Sequence, residues 1–234
     1  IRRQRQMCIR DRNNTPPSPH LVVRPGLADP AELGGEPLRW SPFGVAASGN
    51  PAALAAVREG RAGVQDEGSQ LVAWALARAD AQDGPWLDTC AGPGGKAALL
   101  AGLARQQHQT LLAGELQPHR ALLVAKALAA YPDPKPVVIA ADGTRPAWPA
   151  NTFARVMLDA PCTGLGALRR RPEARWRRKP TDLDALVPLQ RALLAGAIDA
   201  TAPGGVIAYV TCSPHRRETV EVVDQPPLLS LIHI

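Results

Sequence analysis

The sequence predicts an α/β fold in which a parallel sheet is wrapped by helices, a doubly wound, Rossmann-like arrangement. Three observations predict it. Apolar runs of strand length alternate with helical stretches between about residues 86 and 211, the pattern of consecutive βα units. The first of these strands leads into a glycine-rich turn that opens a helix, Asp88-Thr-Cys-Ala-Gly-Pro-Gly-Gly-Lys96. Acidic residues recur where the next three strands end, at Glu115, Asp142 and Asp159. In an open α/β sheet the carboxyl ends of the strands line one crevice, so the turn and the acids converge on one edge.

Taken in order, both ends stand apart. Residues 1–12 (IRRQRQMCIRDR) and the closing LSLIHI have no continuity with the Ala/Pro-rich remainder and resemble translated sequencing-adapter read-through. Residues 1–12 and 225–234 are therefore expected to be a non-native end and a non-native tail, and Cys8 is set aside with them. Residues 13–50 are rich in Pro and Gly with short apolar patches and read as irregular structure, and 13–62 as a whole is expected to be a linker or the remnant of a preceding domain. Within them the pattern predicts a short helix over 52–59, followed by a helix with one apolar face over 70–79. Strands are then predicted at 86–90, 110–116, 136–141, 153–159 and 205–211. Helices are predicted over 95–105, 119–130 and 182–201. These strands are expected to lie parallel in the order 3-2-1-4-5, within one domain spanning 63–224.

A chain of 234 residues with 45% hydrophobic content can bury a substantial core. Lys and Arg total 27 against 21 Asp and Glu, a net charge of +6, which favours an anionic partner. The 4 cysteines form no CxxC pair and no ladder of short spacings, so neither a metal site nor a disulfide framework is expected, and a reducing cytoplasm fits. No apolar run approaches the roughly 18 residues that span a bilayer, and no signal peptide is legible. A soluble cytoplasmic protein without a membrane or metal partner is expected.

The glycine-rich turn lets backbone approach a ligand, and the helix behind it supplies N–H donors. Gly92 to Ala97 satisfy the dinucleotide pattern GxGxxA, with Glu115 about 20 residues on to hold a ribose hydroxyl pair. It is not a phosphate-cradling Walker loop: Cys90 stands at the first required Gly and Ala97 at the Ser/Thr position. A nucleotide-like cofactor is expected, with Glu115, Asp142 and Asp159 as acceptors for ribose, adenine amino and ammonium groups.

Two cysteines fall at the ends of the fourth and fifth strands, in Asp159-Ala-Pro-Cys162 and Thr211-Cys-Ser213. In the expected strand order these strands are neighbours about 5 Å apart. That juxtaposition argues for chemistry, although a single cysteine is usually a small buried hydrophobe. Between them, Arg169, Arg170, Arg171, Arg175, Arg177, Arg178 and Lys179 surround Trp176. Arginines beside an aromatic ring suit phosphate contact plus base stacking, so this run is expected to bind RNA.

The ordered set GVQDEGSQL at Gly63, DTCAGPGGK at Asp88, LDAPCTGLGALRRRPEARWRRKP at Leu158, LQRALLAGA at Leu189 and YVTCS at Tyr209 resembles the RNA (cytosine-5)-methyltransferase family, which includes bacterial 16S ribosomal RNA methyltransferase B. The resemblance implies a class I S-adenosylmethionine-dependent methyltransferase sheet, here with its C-terminal strands truncated. It implies that Cys90, Ala91, Gly92, Pro93, Gly94, Gly95, Lys96, Glu115, Asp142 and Asp159 bind S-adenosylmethionine. It further implies that Cys212 is the nucleophile, that Cys162 assists product release, and that the substrate is RNA, with 16S ribosomal RNA the first choice. Three departures stand out: Gly92 where the family commonly has Ala, Glu115 where Asp is usual, and Arg217-Glu218-Thr219 where a Glu-Asn-Glu run often follows the nucleophile.

The chemistry accounts for the residue types. Carbon 5 of cytosine is too weak a nucleophile to take a methyl group until a thiolate adds at carbon 6. A thiol with pKa near 8.5 is only slightly ionised at neutral pH, so a cation or proton acceptor must favour the thiolate. Lys96, His215 and Arg216 are the candidates, while Asp159 is a candidate partner for ring nitrogen 3. Two other readings stay open: a dinucleotide-dependent oxidoreductase, which leaves the cysteine pair and arginine run unexplained, and a non-catalytic RNA-binding fragment.

Overall fold

The computed structural model describes residues 17–224; the segments expected to be non-native, 1–12 and 225–234, lie outside the described residues. Two compact units are present, one formed by Pro19–Asp159 with Ala192–Val210 and the other by Ala160–Arg191 with 211–224.

In the larger unit, strands β1 (His20–Val23), β2 (Glu36–Pro37) and β3 (Gly44–Ala46) are followed by the short helix α1 (Ala55–Arg58), strand β4 (Ala62–Val64) and helix α2 (Glu67–Arg78). The strands β1 to β4 form an antiparallel sheet in the order β2-β3-β1-β4. Residues 20–46, where irregular structure is expected, thus carry three of these strands. The strands are two to four residues long, too short for a period-2 pattern to register. Strand β4 also crosses the boundary expected between residues 62 and 63.

Next come β5 (Trp86–Asp88), α3 (Gly95–Gln106), β6 (Leu111–Glu115), α4 (Pro118–Leu128), β7 (Val137–Ala140) and β8 (Phe153–Asp159). After α5 (Ala174–Arg177) in the smaller unit, helix α6 (Asp182–Ala200) leads into β9 (Thr201–Val210), and α7 (Val220–Val223) follows in the smaller unit. The second sheet has the order β7-β6-β5-β8-β9, all pairs parallel, which is the 3-2-1-4-5 order expected. The first six residues of β8 are buried, as a central parallel strand covered on both faces requires. Strand β9 begins at Thr201 rather than 205, because the register jumps from Phe153↔Thr201 to Arg155↔Val206 and the Pro-Gly-Gly stretch bulges out.

The core of this unit joins Trp86, Met157, Leu99, Leu100, Leu103 and Val124. The order reverses at β5, which has β6 on one side and β8 on the other. This switch point is where open α/β sheets take ligands.

Candidate functional site

The loop after β5 is built from backbone bonds to neighbouring strands. Thr89 N–H donates to Met157 O and Ala91 N–H to Gly114 O, both at 2.9 Å, so the turn is anchored to β8 and β6 before the chain enters α3. Gly94 sits at φ +108°, and a Cβ there would stand 2.6 Å from Ala127 Cβ and 3.1 Å from Val124 Cα. Only glycine lets the loop pack so closely on α4. A Cβ at Gly95 would meet nothing within 4 Å, so the first turn of α3 faces open space there.

Glu115, the last residue of β6, is 4% exposed. Its Oε2 accepts from Gly92 N–H and its Oε1 from Gln117 N–H, each at 3.0 Å. Arg120 braces the pair, placing Nη1 3.6 Å from Glu115 Oε1 and donating from Nη2 to Gly92 O at 2.7 Å. Lys96, on the first turn of α3, donates to Asp159 Oδ2 at 2.7 Å. Asp142, just past β7, accepts from the N–H and hydroxyl of Thr144 at 2.9 and 2.8 Å. Those two bonds hold its carboxyl below the ordinary aspartate range. The structure therefore brings Cys90–Lys96, Glu115 and Asp159 to the carboxyl ends of β5, β6 and β8, with Asp142 beyond β7.

Asp88, the last residue of β5, was not singled out by sequence. It is fully buried, its Oδ1 accepts from Cys90 N–H at 3.3 Å, and its Oδ2 has no partner among the described residues. Burial first, and Asp159 second, push its carboxyl up to about 7, against the pull of Lys96. Its position immediately before the glycine turn was the available signal. The Cys90 thiol is pushed up to about 12 by burial and then by Asp88, so it stays protonated at neutral pH and is no nucleophile.

The smaller unit contains the other two cysteines. Their sulfurs lie 3.4 Å apart, Cys162 partly buried and Cys212 exposed. This is a contact between thiols, far longer than the roughly 2.05 Å of a disulfide. The contact with Cys212 and then burial push the Cys162 thiol up. Two thiolates at this separation repel, so the more exposed sulfur is the one better placed to ionise.

One carboxylate holds the two cysteine loops together. Glu218 is wholly buried and accepts from Thr163 N–H at 2.8 Å, from the Thr163 hydroxyl, from the Ser213 hydroxyl at 2.6 Å and from Gln190 Nε2 at 3.1 Å. Burial opposes its charge, but the bonds from Ser213, Thr163 and Gln190 win and hold its carboxyl below the ordinary glutamate range. Sequence reasoning noted Glu218 only as part of a departure from a family run; its partners are far apart in the chain and leave no local signal.

In the same unit Arg169, Arg170, Arg171, Arg175, Arg177, Arg178 and Lys179 are exposed, and Trp176 is 89% exposed. Arg178 Nη2 donates to Cys162 O at 3.4 Å, linking this run to the Cys162 loop. Among the described residues no helix is long and apolar enough to cross a membrane.

The profile of the 16S rRNA methyltransferase RsmB/F family matches residues 73–228. A Mycobacterium tuberculosis (strain H37Rv) protein named as a methyltransferase is 54% identical, over 88% of this chain and 46% of its own length. The ribosomal RNA small subunit methyltransferase B of Pasteurella multocida is 35% identical, over 74% of this chain and 39% of its own. The chain spans less than half the length of these relatives. Among solved structures, PH0851 superposes with a TM-score of 0.79 at 25% identity, covering 91% of this chain and 50% of that one. With the glycine turn, the strand-end acids and both cysteine loops inside the matched segment, the chain belongs to the 16S rRNA methyltransferase RsmB/F family.

Proposed function

We propose that the protein transfers the methyl group of S-adenosylmethionine to carbon 5 of a cytosine in RNA, with 16S ribosomal RNA as the substrate, through a covalent adduct with Cys212. The observation that carries this reading is the thiol pair, one sulfur exposed and the other partly buried 3.4 Å away. One thiol that adds and another that manages a proton is what base activation at carbon 6 demands.

The residues present fit the cofactor. Gly95 faces open space at the start of α3, Asp88 keeps an unpartnered buried oxygen among the described residues, and Glu115 ends β6 with its carboxylate fixed beside the turn. We assign Cys90–Lys96 to the cradle, Glu115 to the ribose, Asp142 to the adenine and Asp159 to the base edge, where Lys96 holds its Oδ2. When bound, S-adenosylmethionine supplies an electrophilic methyl group on a sulfonium.

In the proposed cycle the Cys212 thiolate adds to carbon 6, and electron density moves to carbon 5. Asp159 steadies ring nitrogen 3 as charge builds on the ring. After methyl transfer, Cys162 assists removal of the carbon 5 proton, the carbon–sulfur bond breaks, and the Cys212 thiolate is regenerated. The arginine run with Trp176 holds the strand, the target base having been unstacked at a cost of a few kcal/mol.

The test separates the thiols. Cys212→Ala should be inactive and never cross-link to RNA. Cys162→Ala should turn over slowly yet accumulate a covalent protein–RNA complex when S-adenosylmethionine is present, seen as a retarded band with labelled RNA on a denaturing gel. A retarded band from Cys212→Ala and none from Cys162→Ala would reverse the roles. Tight RNA binding by the unmodified protein, without any cofactor binding, would favour a non-catalytic RNA-binding role.

A further inference from the structure

Glu218 is a buried carboxylate on which, among the described residues, four bonds from neutral donors converge. Two come from Thr163, which follows Cys162, one comes from Ser213, which follows Cys212, and one comes from Gln190 on α6. Gln190 Nε2 also donates to Pro161 O at 2.9 Å, so Cys162 is bracketed by residues 161 and 163, both tied to the same cluster. The hydroxyls of Thr163 and Ser213 lie 3.1 Å apart, and Gly166 N–H donates to Cys212 O at 2.8 Å.

We propose that Glu218 is a positioning residue that sets the separation of the Cys162 and Cys212 sulfurs by gripping the residue after each of them. A carboxylate suits this because it is acceptor-only, with about four lone-pair sites for the donors of two loops and one helix. An amide of the same shape offers one oxygen to the Thr163 and Gln190 N–H groups and turns its own N–H donors toward the Thr163 and Ser213 hydroxyls, which must then reverse and accept. The role is therefore separable from packing: Glu218→Gln keeps the volume but replaces the charge-assisted bonds of both hydroxyls with weaker neutral ones and so loosens the grip. The inference rests on the reading of the thiol pair as the reacting groups, but its consequence for the sulfurs can be measured without RNA.

The experiment oxidises the reduced chain with diamide and follows the Cys162–Cys212 linkage by peptide mapping. Each thiol gives up one proton and one electron, the sulfur–sulfur bond forms, and the diazene is reduced to the hydrazine. Glu218→Gln should slow this linkage at least tenfold while the far-UV spectrum stays close to that of the unmodified protein. In methyl-transfer assays kcat should fall by a similar factor with KM for RNA little changed. Linkage at the unmodified rate would overturn the proposal, whatever the melting temperature does. Should Glu218→Gln fail to fold, Ser213→Ala and Thr163→Val each remove one arm of the grip and should each slow linkage at least threefold; unmodified rates in both would overturn it. If linkage slows but the unmodified chain methylates no cytosine, the positioning role stands and the proposed reaction falls.

Discussion

At Gly92 and Glu115, two departures from the family pattern prove to be one. A Cβ at Gly92 would overlap Glu115 Oε2 and stand 2.9 Å from Glu115 Cδ and 3.0 Å from Arg120 Nε. The backbone there does not demand glycine, because Gly92 is not among the residues with positive φ. What excludes Ala is the longer acid, whose carboxylate occupies the space of the missing methyl and bonds Gly92 N–H instead. Gly92→Ala alone should push that carboxylate off Gly92 N–H and weaken S-adenosylmethionine binding about tenfold, roughly 1.4 kcal/mol. Glu115→Asp alone should also weaken it, since the shorter side chain no longer reaches the turn. Together they restore the family combination, and the double variant should bind within about threefold of the unmodified protein, a coupling of at least ~1 kcal/mol. Titration calorimetry on the four proteins checks this; additive losses would make the two departures independent. The family resemblance marks both residues as departures, but their mutual contact, 23 positions apart in the chain, is made only by the fold.

The arginine run is the element whose role rests most on charge. It follows a 3-10 turn over Leu165–Ala167 and consists of the four-residue α5 with irregular chain on either side. Trp176 is 89% exposed there, so nothing in the fold of this segment accounts for an indole at that position. Replacing Arg169, Arg170 and Arg171 together by Gln should weaken single-stranded RNA binding. It should also make the plot of log affinity against log salt shallower by up to about 2, at roughly 0.7 for each phosphate no longer neutralised. Fluorescence anisotropy across a potassium chloride series measures the slope, and an unaltered slope would reduce the run to a solvated face. Among the elements, β8 was legible because a seven-residue run buried along six of its positions advertises itself, and β5 because it feeds the glycine turn that opens α3. The turns of the arginine run were not, since seven cations in eleven residues leave no apolar period. Nor was the early start of β9, where Pro203 and two glycines read as a turn although pairing resumes around the bulge.

At the scale of the whole chain, the sequence places the start of the catalytic domain at Gly63, and the packing of the larger unit argues for an earlier one. Val22 of β1 belongs to the main hydrophobic core with Trp86, Leu99 and Met157, and Leu27 and Phe43 pack against that core. A Cβ at Gly102 of α3 would meet Pro25 Cδ at 2.6 Å and Pro25 O at 2.8 Å, so the helix behind the glycine turn lies directly on residue 25. Gln70 of α2 is fully buried; its Nε2 donates to Leu21 O and Gln65 O, and its Oε1 accepts from the Ser41 hydroxyl at 2.5 Å. Phe43 also meets the Trp74 ring edge-on, with centroids 6.2 Å apart. A chain beginning at Gly63 would lose the partners that residues 21–43 supply, unpair β4 from β1 and expose the core face that Val22 covers. Each fully buried apolar side chain contributes about 1.5–3 kcal/mol, and a buried polar group stripped of its partner costs about 1–3. Losing Val22, Phe43 and the partners of Gln70 alone therefore removes on the order of 5 kcal/mol, a large share of the roughly 5–15 that holds a typical protein folded. At about 2–4 °C for each kcal/mol in a domain of this size, residues 63–224 should melt at least ~10 °C below residues 17–224, or show no cooperative transition. They should also bind S-adenosylmethionine more weakly, because α3 carries the cofactor turn and rests on the deleted segment. Thermal melts followed by circular dichroism decide between the two boundaries: equal midpoints would make residues 17–62 an accessory to a domain that folds without them, whereas a collapse of the transition makes the small antiparallel sheet part of the catalytic fold.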